Sequence, residues 1–105
     1  MSTITTSLTP LMRACAIGHI EVVQQLLDEG VDVNVRGPRG STALMFAAGG
    51  GHLDVVKILV ARGADLSVRE DGGWTARMHA EDEDIEVAKF LEEAEKHFAV
   101  HWGTA

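Results

Sequence analysis

The feature that most constrains this chain is a period. Thr9, Thr42 and Thr75 are spaced by 33 residues, and each opens a near-copy of the same pattern. Leu11 and Leu44, then Ala14, Ala47 and Ala80, Gly18 and Gly51, His19 and His52, Leu26 and Leu59, Gly30 and Gly63, and Asp32 and Asp65 recur in one register. One structural unit, used three times, has to account for most of the 105 residues.

Within a unit, residues 42–63 read as a short helix, a glycine-bearing turn, a second helix and a stop. Thr42 is the expected N-cap, its hydroxyl accepting from the unpaired amides of the first turn. Leu53, Val56, Ile58, Leu59 and Val60 fall at helical spacing, and Gly63 supplies the left-handed conformation that ends the second helix. Pro10 takes the first helical position of the preceding unit, where a missing amide costs nothing. Helix pairs this short cannot bury their apolar faces alone, so neighbouring units must stack and share one core. The connecting segments VDVNVRGPRGS and ADLSVREDGG hold too much Gly, Pro and charge for helix and are expected as extended, finger-like turns.

The stretch TPLMRACAIGHIEVVQQLLDEGVDVN, echoed by TALMFAAGGGHLDVVKILVARGADLS, resembles the ankyrin repeat over about residues 7–94. The resemblance implies an all-α solenoid of three helix-turn-helix units joined by finger turns, with the first helices lining a concave side. It also implies a non-catalytic protein that binds another protein. One domain over 1–105 is expected, with repeats at about 7–36 and 37–69, and a third repeat plus a C-terminal capping helix extension over 70–105. By the same resemblance, contact positions map onto Leu8, Ala16 and Ile17, onto Pro38, Arg39, Ser41, Gly49 and Gly50, and onto Asp71, Gly72, Trp74, Asp82 and Glu83, with Arg36 beside them. Trp74 stands where nothing in the pattern demands an aromatic, and Trp and Arg are common interface anchors. Arg36 and Arg39 give an acidic protein a positive tip suited to a carboxylate. Each has a plainer alternative: Trp74 packing over the adjacent finger, and the arginines as solvated loop charge. Asn34, in the VDVN step, resembles asparagines that are hydroxylated in some ankyrin proteins.

Three departures from the family pattern carry further expectations. Met12, Met45 and Met78 stand where the family usually has a histidine, which predicts a thioether column in the core in place of a polar ladder. The third unit is one residue shorter between its helices and has Arg77 in place of leucine, while Glu81 to Glu95 hold eight carboxylates beside Lys89. That end reads as a solvated cap, or as an acidic docking face for a basic partner. Beyond it, Phe90, Ala94, Phe98 and Trp102 form one helical stripe. The stripe either folds back over the last pair or is a patch through which a homodimer forms, so self-association through Phe98 and Trp102 is the alternative to partner binding.

Composition removes other functions. A net charge of -7, from 16 acidic and 9 basic residues, leaves no broad positive surface for nucleic acid. Apolar runs fall short of the roughly 20 residues of a membrane span. Cys15, the sole cysteine, lies between alanines, excludes an internal disulfide and fits the reducing cytoplasm. Glu93, His97 and His101 share a helical face, yet no further ligand is placed to complete a tetrahedral site. No nucleophile constellation or phosphate loop is present in the spacing, so no catalytic residue, metal or cofactor is expected. The reading is a monomer that binds protein.

Overall fold

Three helix pairs follow one another: Pro10–Ile17 (α1) with Ile20–Asp28 (α2), Ala43–Gly49 (α3) with Leu53–Ala61 (α4), and Ala76–Glu81 (α5) with Ile85–Gly103 (α6). This computed structural model describes residues 8–81 and 84–103, with side chains as far as 97. Among the described residues the chain is all-helical, without strands, as the periodicity requires.

Each unit begins on its threonine, but not in the same way. The Thr9 hydroxyl accepts from the Met12 amide at 3.1 Å, and Thr75 accepts from Met78 at 3.4 Å. Thr42 makes no such bond, contrary to the expected cap. The amide it would have capped, that of Met45, is taken instead by the Thr42 carbonyl at 3.1 Å in a tightened first turn. Gly18 (φ 77°), Gly51 (φ 73°) and Gly63 (φ 94°) hold the left-handed conformations that end the helices.

The first helices form one row, α1 on α3 on α5, and the second helices another, α2 beside α4 beside α6. Buried alanines at 14, 43, 47, 48, 76 and 80 let the first row approach closely, whereas contact within the second row is sparse. Tight spacing on one side and loose spacing on the other bends the stack, with α1, α3 and α5 on the inner, concave side. Val23, Val55, Val56, Leu59, Val87 and Leu91 form the floor between the rows. Val87 and Leu91 repeat Val55 and Leu59 at a spacing of 32, so the shorter third unit keeps its core by shifting register. Met12 and Met45 are buried in this core while Met78 is only half-buried, so the thioether column extends through two units and reaches the surface in the third. Met12 lies so close to Gly37 that a Cβ there would meet its sulfur at 2.6 Å.

Polar contacts tie consecutive units together. The His52 ring reaches back to the first unit, its Nε2 donating to the Ala16 carbonyl at 2.9 Å and its faces set against Gly18 and Gly50. Asp84 takes the place of that histidine in the third unit and accepts instead from the Glu86 and Val87 amides, at 2.9 and 3.3 Å. Asn34 donates to the Gly63 carbonyl and accepts from the Asp65 amide, so this side chain joins the first finger to the second unit. At the C-terminal end, Arg77 bonds Glu95 at 3.0 Å and Glu81 at 2.7 Å, and these neighbours raise its pKa, the Glu95 hydrogen bond most. Charge thus closes the side of the stack that leucine closes elsewhere.

α6 runs unbroken for 19 residues where α2 and α4 have 9. At 1.5 Å per residue it extends roughly 15 Å past the repeat, and its backbone does not fold back over the last pair. The side chains of Phe98 and Trp102 lie outside the described residues. Phe90, on the same stripe, is half-buried under the Lys57 ammonium, 5.8 Å from its ring centre.

Candidate functional site: the concave groove

The first helices carry a column of unlike residues on their inner face. Arg13, Phe46 and His79 share one register, between the constant methionines and the constant alanines at 14, 47 and 80. The core fixes those neighbours, so the column between them is free to vary. Around Phe46 and His79 lies an open groove of about 400 Å³, also lined by Ala16, Gly49, Gly50 and Glu70. Gly49 leaves this wall without a side chain, which widens the groove at the end of α3, while the place of a side chain on Gly50 is filled by the His52 ring.

The finger tips stand over it, built twice on one plan. Gly37 donates to the Ser41 carbonyl, as Glu70 does to that of Trp74, and Gly40 donates to Gly37 as Gly73 does to Glu70. Arg36 bonds the Gly40 carbonyl at 2.8 Å, and Arg69 bonds that of Gly73 at the same distance. Arg36 also reaches the Arg69 carbonyl at 3.0 Å, and the Asp71 amide donates to the Arg39 carbonyl at 2.9 Å. The fingers therefore brace one another. The first tip turns through a short 3-10 segment, Pro38–Gly40, within the expected finger-like turn, with Arg39 left-handed at φ 58°.

Trp74 is 45% exposed, and its ring stands 5.5 Å from that of His79, tilted by 47°. Its aromatic neighbour is thus the third unit's first helix, not the adjacent finger. Glu70 fixes it from below, Oε1 accepting from the Gly72 and Trp74 amides at 2.6 and 3.3 Å.

Of the residues expected to make contacts, Ala16, Ser41, Gly49 and Gly50 line this one groove and Trp74 stands at its edge. Ile17, beside Ala16, is 71% exposed. The Arg39 guanidinium has no partner among the described residues, whereas Arg36 is engaged in bracing the fingers. The Ser41 hydroxyl donates to the Pro38 carbonyl at 2.7 Å. Asp71 sits at the second tip, and Asp82 and Glu83 lie outside the described residues. Phe46, His79 and Glu70 were missed. Their signal was present for the first two: one position changes freely inside an otherwise strict repeat.

A second cleft, of about 670 Å³, opens between the second finger and the third pair, along Asn34, Leu66, Arg69, Met78 and the Arg77–Glu95 bridge. Its principal polar groups already satisfy one another. Among the described residues no three His, Cys, Asp or Glu side chains cluster as metal ligands, and no helix is long and apolar enough to cross a membrane.

The family model described as ankyrin repeats (3 copies) matches residues 11–100, the span of all three helix pairs. The chain belongs to the ankyrin-repeat family. A search of curated proteins finds no match. Ankyrin repeats generally mediate protein–protein interaction and are typically non-catalytic. In this ankyrin stack the positions that recur between units build the scaffold, and the groove and tips carry the residues that do not recur.

Proposed function

We propose that this ankyrin-repeat protein is a non-catalytic module that binds a protein partner through its concave groove and finger tips. Trp74 carries the reading. A large aromatic side chain that is 45% exposed, carried on a backbone anchored at Glu70 and set against the His79 ring, offers broad contact area at low ordering cost. Phe46 adds apolar surface in the groove, exposed Ile17 adds more beside Ala16, and Arg39 on the first finger tip adds a cation unpaired among the described residues.

The test is affinity capture from the native lysate with the wild-type chain and with the Trp74→Ala/Arg39→Ala double variant, bound proteins being identified by mass spectrometry. Neither side chain holds the stack together, so the variant should keep its circular dichroism spectrum and lose the partner by a few kcal/mol, on the scale of interface anchors. A folded variant that retains the same partner at the same affinity rejects this surface.

A further inference from the structure

We propose that the concave groove accepts a basic side chain of the partner, arginine in preference to lysine, with its cationic head at Glu70 and its flank against Trp74 and Phe46. The inference rests on reading this face as the binding surface. Its starting point is a carboxylate whose one ionisable neighbour is an imidazole 3.6 Å away. The Glu70 side chain is only 19% exposed, and its carboxylate pairs with no lysine or arginine among the described residues. Oε1 is occupied by two backbone amides, which fix the group in place. Oε2 accepts no hydrogen bond from the described residues. Its nearest cationic candidate is His79, whose Nε2 lies 3.6 Å away, beyond hydrogen-bond reach, and is itself buried without a partner.

The half-buried carboxylate thus keeps one oxygen with accepting capacity unused, and an arriving cation can fill it with a charge-assisted hydrogen bond. The walls around Glu70 select the kind of cation. Phe46 and His79 line the groove with it, Trp74 closes one edge, and Gly49, whose missing side chain would meet nothing closer than the His79 Cβ at 4.0 Å, leaves space for an aliphatic stem. Aromatic faces attract cations, and the flat, weakly hydrated guanidinium both stacks on a ring and turns an N–H edge to a carboxylate oxygen. An ammonium keeps more of its hydration and stacks less well. The net charge of -7 favours a basic segment over an acidic one at longer range.

The experiment is a nitrogen–proton NMR titration of the full chain with three end-blocked peptides, Gly-Arg-Gly, Gly-Lys-Gly and Gly-citrulline-Gly. Citrulline keeps the shape of arginine and removes its charge. The arginine peptide should shift the Trp74 indole N–H and the Gly49 and Gly50 amides, with roughly millimolar affinity. The lysine peptide should bind more weakly, and the citrulline peptide at least about tenfold more weakly than arginine, the scale of a charge-assisted hydrogen bond. Glu70→Gln, with its spectrum otherwise retained, should bring the arginine peptide down to the citrulline level. Equal shifts from citrulline and arginine, arginine shifts confined to the acidic face of α6, or no shift at all would overturn the proposal, and the peptide comparison needs no variant to fold. Should the arginine peptide leave the groove silent while the Trp74/Arg39 variant still loses its partner, the binding face stands and this occupant alone is rejected.

Discussion

His19 and His52 provide a matched pair, because the same Gly-His step occurs twice and, among the described residues, a helix pair packs before only the second. His52 donates to the Ala16 carbonyl at 2.9 Å, with its ring lodged between Gly18 and Gly50, whereas His19 is exposed and makes no side-chain bond at the start of its helix. His52→Ala removes one part-buried hydrogen bond, about 1 kcal/mol, and ring packing of similar size, for a total of roughly 2 kcal/mol. For a domain of this length that lowers Tm by roughly 10 °C. His19→Ala should change stability by less than about 0.5 kcal/mol. Gly18→Ala adds a second reading of the same contact. It forces a side chain onto φ 77°, at about 1 kcal/mol, and places a Cβ 2.6 Å from the His52 ring. Removing that ring removes the clash, so the Gly18→Ala/His52→Ala double variant should be less unstable than the sum of the two by about 1 kcal/mol. Urea denaturation followed by circular dichroism measures all four chains. Equal effects from the two histidines, or strict additivity of the Gly18 and His52 changes, would refute the claim that this ring couples the first two units.

Three further outcomes follow from the same physics. Burial pushes the Cys15 thiol from 9.0 up to about 12, so it should resist alkylation at pH 8 until the chain unfolds. Because its folded pKa is raised, Cys15 contributes stability that is complete below about pH 9 and declines as pH rises toward 12, and Cys15→Ala should flatten the alkaline limb of a stability–pH curve. The Asp65 carboxyl is held below its usual range, first by the Ser67 hydroxyl and then by the Ser67 amide. Its contribution is present above about pH 4 and is lost as pH falls through the lowered value, and Ser67→Ala should move the Asp65 titration, followed by carbon-13 NMR, upward. Met45→His introduces a polar ring into a closed core position and should cost about 1–3 kcal/mol in thermal unfolding, whereas the same change at half-buried Met78 should cost less. Equal losses at the two sites would sink the distinction between them.

Much of the scaffold was legible because it repeats. A spacing of 33 locates the helix pairs, their turn glycines and the alanines between rows without reference to anything outside the chain. The one-residue deletion in the third unit was also visible, and it is what places Val87 and Leu91 in the core. Side-chain hydrogen bonding was less so. Thr42 and Thr75 are both followed by alanine, yet only Thr75 caps through its hydroxyl, since the choice between hydroxyl and carbonyl as acceptor depends on how tightly the first turn winds. The bracing role of Arg36 was written in its repetition as Arg69, but a lone arginine near a tip reads as a contact residue until its partners are seen. Glu70 left no such mark. Its position beside His79 and Phe46 is created by the folding of the second finger over the third pair, a long-range event that periodicity does not encode.

The central claim, that the inner face of this ankyrin stack receives a protein, is tested most directly by hydrogen exchange on the complex with whatever partner the capture yields. Added protection should fall on the amides of residues 46–50 and 70–79 and leave α2 and α4 as they are in the free chain. Protection confined to the outer helices, with the groove exchanging as freely as before, would contradict it.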